Sequence, residues 1–280
     1  MKLSSRLVFT IFWRLLVYAP ICHWVWASDG VFFKMGALDY AGGTVVHINA
    51  GIAGLVGCLM LGKRRGYGTQ ALAPANLSLA MVGASILWFG WMGFNGGSGL
   101  AANSRAAMAI ICTQIAAAAG ALSWMAAEWT KRGKPSLLGL ISGAVAGLVA
   151  VTPGSGFVLP GAAAAIGFIA GGACFYSVSV IKARLGYDDS LDAFGVHGVG
   201  GIIGALLTGV FATSSVTGSP LPSMGEQLWI QLLSVLATLA YGGVMSFIIL
   251  WIIHKTMGLR VANEDELAGL DLSVHGERIE

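Results

Sequence analysis

Two histidines stand inside long apolar runs, His47 in HINAGIAG and His197 in HGVGGIIG, each written His-x-x-x-Gly-x-x-Gly. An ionisable side chain within a bilayer is costly and turns toward a bundle interior or a pathway. Neutral imidazole suits such a place, because one ring nitrogen donates, the other accepts, and its pKa lies close to neutrality. A pair can therefore hold a small polar molecule and also relay a proton. One such histidine reads equally well as a hydrogen-bonded core residue; the matched pattern favours function. A second group, Trp26, Asp39, Phe94 and Ser98, falls at the ends of apolar runs. Two aromatic faces and a hydroxyl can hold a small cation, although Trp and Phe also form ordinary interfacial belts. Asp39 precedes small residues, so helix capping and a favourable dipole interaction explain it first, with only an indirect effect on a bound cation. It lies eight residues from His47, about 12 Å along a helix.

The elements that must position these groups follow from composition. The chain of 280 residues is 56% hydrophobic and 10% charged, against about 25% charged for soluble domains, so it is an all-α polytopic membrane protein. Its 41 glycines suit helices that pack through small residues. Eight runs are long enough to span or nearly so, at roughly 5–26, 39–62, 76–98, 105–128, 136–153, 157–181, 192–213 and 223–255. The fifth is short and stops at Thr152-Pro153-Gly154. The segment 1–256 then forms the transmembrane domain and 257–280 a cytoplasmic tail.

Basic residues sort the ends. Lys2 and Arg6, Lys63 to Arg65, Lys131 with Arg132 and Lys134, Lys182 with Arg184, and Lys255 with Arg260 and Arg278 fall on one side. By the positive-inside rule both termini are cytoplasmic, and the plasma (inner) membrane is the expected location. A cleaved leader ending near Val25-Trp26-Ala27 is the weaker reading, since Arg14 interrupts its apolar run. His47 and His197 then lie on antiparallel spans near the midplane, the arrangement of an inverted repeat. Cys22, Cys58, Cys112 and Cys174 have no metal-ligand spacing, and the net charge of +3 gives no case for nucleic acid. With no G-x-x-x-x-G-K-[ST] motif, nothing points to an enzyme. A bis-histidine metal or haem site lacks further ligands, so neither metal nor cofactor is expected.

These residues resemble the ammonium transporter, methylammonium permease and Rhesus family, nearest its bacterial branch. The likeness runs from about residue 7 to about 277, through DYAGGTVVHINAGIAGLVG, WFGWMGFNGGS, EWTKRGKPSLLGLISGAVAGLV, DAFGVHGVGGI and GLRV…GLD…HGE. It implies that His47 and His197 are the twin histidines of a pore and that Trp26, Phe94 and Ser98 form an outer recruitment site, with Asp39 beside it. It further implies a homotrimer with one pore per subunit, and a PII-type signalling protein as partner of the tail. The alternative is a transport-defective form or an ammonium sensor using the same tail. Family members have eleven spans, and the first span here matches their fourth, so the resemblance implies eight spans of eleven. A shortened gene, a displaced start or a genuine short form would explain this, the first two being favoured, and His47 would then lose part of its wall and face lipid or a neighbouring subunit.

Overall fold

A computed structural model of the protein describes residues 1–70, 72 and 74–277. All eight expected spans are helical. Helix α1 runs through Leu3–Trp13, a π-helical turn Arg14–Tyr18 and Ala19–Trp26, and a short α2 follows at Val31–Met35. Then come α3 (Gly43–Leu61), α4 (Leu77–Gly97), α5 (Ser104–Arg132), α6 (Leu137–Val151), α7 (Pro160–Leu185), α8 (Ala193–Phe211), a single turn α9 (Ser214–Thr217), α10 (Met224–Thr256) and α11 (Asn263–Ala268). Among the described residues, seven helices are long and apolar enough to cross a membrane, and α6 is a shorter apolar one. Arg278, assigned above to the basic side, lies outside the described residues.

Local chemistry sets the helix ends. The side chains of Asn76, Asn103, Ser136 and Ser223 accept from the backbone N–H three residues on, which caps α4, α5, α6 and α10. Pro160 begins α7, where its missing N–H costs nothing. α6 and α7 clasp α5 so closely that only glycine fits. A Cβ on Gly147 would lie 2.1 Å, and one on Gly167 2.2 Å, from the Ala116 carbonyl oxygen. Such backbone contact is how helices associate where lipid offers no hydrophobic drive.

A second packing unit joins α1, α3 and α10 through Val17, Ile21, Val45, Ile249 and Leu250. α3, in this second unit, and α8 carry the histidines.

Candidate functional site

The two histidine helices are built to one plan. α3 opens with the π-helical turn Gly43–Ile48 and α8 with Ala193–Gly198, so each histidine occupies the fifth position of a wide turn. Both turns follow a residue of positive φ, Gly42 at 118° and Asp192 at 54°. An aspartate stands eight residues before each histidine, Asp39 before His47 and Asp189 before His197. Asp39 is buried, and one carboxylate oxygen accepts from the Gly42 and Gly43 amides at 2.8 and 2.5 Å. The other accepts from the Thr44 and Val45 amides at 2.9 and 3.2 Å and from the Thr44 hydroxyl at 2.5 Å. Five donors crowd onto the two oxygens, so the Asp39 carboxylate is committed to its own turn. Asp189 accepts from the Phe194 amide at 2.8 Å, and Asp192 pairs with Lys182.

The helices cross through glycine in a two-fold way. A Cβ on Gly51 would lie 2.3 Å from the Gly198 nitrogen, and one on Gly201 would lie 3.1 Å from that of Ile48. Counted from the aspartates, the same pair of positions meets twice. This crossing brings the rings together, with His47 Nδ1 3.4 Å from His197 Nδ1. A hydrogen bond between two Nδ1 atoms requires opposite tautomers, one ring donating and the other accepting. The outward Nε2 atoms are then unlike: one is a bare acceptor and the other an N–H donor. His47 Nε2 is buried and finds no partner among the described residues.

The surrounding wall is aromatic. Trp91 stacks on His47 with centroids 5.3 Å apart and planes 19° apart, and Phe94 lies 6.4 Å away. Trp91 is fixed from behind, because its indole N–H donates to the Thr152 hydroxyl at 3.0 Å, in the short-span stop. His47 is only 3% exposed. The expectation that it faces lipid is therefore corrected: Trp91, Phe94 and His197 close around it. A separate groove of about 790 Å³ is lined by Ala50, Ala193, Trp13, Cys58, Arg64 and Asp188, and neither histidine lines it.

Of the residues expected to recruit a cation, only Phe94 reaches the histidine cluster. Trp26 donates its indole N–H to the Asp39 carbonyl at 2.7 Å. The Ser98 hydroxyl donates back to the Phe94 carbonyl at 2.9 Å. Trp91 and Asp189 were not singled out from the sequence. Trp91 lies one turn before Phe94, and Asp189 repeats the eight-residue spacing of Asp39, so each had a signal.

At the basic end, Arg64 grips Asp188 with nitrogen–oxygen distances of 2.7 and 2.9 Å. Burial pushes the Asp188 carboxyl up, but the side-chain and backbone hydrogen bonds from Arg64 outweigh it and hold the group below its ordinary range. This pair ties the end of α3 to the loop that leads into α8.

A sequence profile of the Ammonium Transporter Family matches residues 1–279. Over 99% of its length the chain is 50% identical to an ammonium transporter of Aquifex aeolicus and spans 65% of that protein. Over 99% of its length it is 45% identical to one of Bacillus subtilis, spanning 69% of it. A crystal structure of Saccharomyces cerevisiae Mep2 superposes with a TM-score of 0.88 at 39% identity, covering 94% of this chain and 62% of that one. A structure described as a sensor Amt protein gives 0.84 at 33% identity, covering 91% and 65%.

Proposed function

Because the chain belongs to the Ammonium Transporter Family, we propose that it conducts ammonium across the membrane, with the substrate passing the histidine pair as neutral ammonia. The observation that carries this reading is the buried contact of His47 and His197, with Nδ1 atoms 3.4 Å apart. Ammonium is attracted at the Asp39 end by the aromatic faces of Trp26 and Phe94 and by the Ser98 hydroxyl. An unpaired cation in apolar surroundings costs on the order of tens of kcal/mol before it relaxes. The proton therefore leaves the nitrogen, ammonia passes as a neutral molecule, and the proton follows separately over the histidine pair.

Opposite tautomers suit both species. Ammonia accepts from one Nε2–H and donates to the other Nε2. A proton added at the bare Nε2 moves that ring's Nδ1 proton across to its neighbour, which releases its own Nε2 proton. The charge balances, and the two tautomers are left exchanged. From the pair, ammonia goes on to the basic end. Three copies form the assembly, both termini face the cytoplasm across the plasma membrane, and no covalent chemistry is involved.

A second reading is favoured by the tail. Arg260 grips Glu266 with the shorter nitrogen–oxygen distance at 2.8 Å and donates to the Leu61 carbonyl at 3.2 Å. The Arg65 amide donates to the same Glu266 carboxylate at 3.1 Å. A PII-type protein docking there would feel the end of the His47 helix, and a sensor would bind it without flux. Vesicles containing the purified protein and a trapped pH dye separate the two readings. Conduction predicts a lumenal pH trace on ammonium addition that departs from that of empty vesicles; equal traces would overturn it.

A further inference from the structure

Gln231 is 1% exposed on α10, within the apolar part of the bundle. Its carboxamide meets the backbone of Leu38 as one amide meets another. The Leu38 N–H donates to Oε1 at 2.8 Å, and Nε2 donates to the Leu38 carbonyl at 2.8 Å. The second Nε2 proton goes to the Ala205 carbonyl at 2.9 Å. Leu38 directly precedes Asp39, whose carboxylate caps the turn that holds His47. Ala205 lies on α8, eight residues beyond His197. One buried side chain thus touches the entry to the first histidine helix and the body of the second.

Neighbouring bonds show why this point matters. Gln227, one turn earlier on α10, donates to the Gly36 carbonyl at 3.0 Å. The Trp26 indole holds the Asp39 carbonyl, and the Tyr40 amide donates to the Pro153 carbonyl at 2.9 Å. The Gly36 and Ala37 amides close α2 on the Phe33 and Phe32 carbonyls, and beyond them side chains and a neighbouring turn hold the segment up to Tyr40. An unpaired amide inside a bilayer is costly, which makes each of these bonds a constraint on where Asp39 stands. Among them, only Gln231 also hydrogen-bonds to α8.

We infer that Gln231 is a positioning residue for the histidine pair: it fixes the start of the His47 helix against the His197 helix and so sets the meeting of the two rings. It touches neither ring, and glutamine is required because the site needs an acceptor and two donors in one plane. Methionine keeps the length but offers neither function. Glutamate keeps the acceptor and, when ionised, loses both donors.

The test reads the rings themselves. The full chain is labelled with ¹⁵N-histidine in lipid nanodiscs, and the His47 and His197 signals are assigned with His47→Leu and His197→Leu. Gln231→Met is expected to shift both ring signals away from their shared pattern while the protein stays folded by its melting temperature. If Gln231→Met does not fold, Gln231→Glu at neutral pH serves in its place with the same expectation. Ring signals unchanged in a folded variant would overturn the inference. For flux, which rests on the conduction reading, a loss of about tenfold or more is expected. A wild-type chain without flux would defeat that reading, and the ring signals would still decide the role of Gln231.

Discussion

Gly51→Ala adds one methyl group where the two histidine helices cross. The new Cβ would lie 2.3 and 2.4 Å from the Gly198 nitrogen and Cα, atoms of a backbone that cannot rotate away. Ordinary contact needs about 3.5 Å, so the helices must part by about 1 Å or shift along one another. The Nδ1 atoms begin 3.4 Å apart, at the long end of hydrogen bonding, and a further ångström separates them fully. Overpacking of this kind costs about 1–3 kcal/mol of stability, and a misplacement of about 1 Å lowers a positioned reaction by up to about a hundredfold. The assay pairs melting temperature with ammonium flux in vesicles, using Gly57→Ala as control. Gly57 is on the same helix, and a Cβ there meets nothing within 4 Å. Gly57→Ala should keep wild-type flux, while Gly51→Ala should lose at least about tenfold. Equal flux and stability in the two variants would refute the claim that this crossing sets the pair.

Three further outcomes follow from the same geometry. Asp39→Ala orphans four backbone amides and a hydroxyl and should cost about 3 kcal/mol. Asp189→Ala frees one amide and should cost only about 1 kcal/mol, an order readable from two melting curves. Trp91→Leu removes the stack on His47 and the bond to Thr152; a loss of about 3 kcal/mol and a weakened flux are expected, checked by melting and vesicle assays. The Arg260 hydrogen bonds hold the Glu266 carboxyl below its ordinary 4.5. A lowered carboxylate stabilises above its unfolded pKa, and that contribution is lost as pH falls through the folded one. Spin labels on Lys63 and Asn263 should therefore stay close at neutral pH and separate in acid, whereas Glu266→Gln separates them at both.

Much of this was legible because lipid imposes simple rules. Apolar length located the eight spans, and Thr152-Pro153-Gly154 marked the stop of the fifth. The His-x-x-x-Gly-x-x-Gly repeat identified the pair, since the glycines that let the helices cross belong to the same motif. The π-helical turns were not legible: they widen the turn by one residue without a pattern in residue type. Trp91 was hidden because WFGWMGF offers four aromatic rings, and only packing decides which one faces His47. Asp189 was masked by Asp188 and Asp192, although one binds Arg64, one pairs with Lys182, and only Asp189 caps as Asp39 does. The expectation of an open wall at His47 failed for a local reason. Trp91 and Phe94 come from α4 and His197 from α8, so the rings that enclose His47 do not depend on α1.

The most direct test of the central claim is the ammonium-driven current of vesicles carrying the wild-type chain or the His47→Leu, His197→Leu double variant. The account predicts a saturable current for the wild type and none for the double variant at equal protein content. A current unchanged by loss of both imidazoles would contradict it.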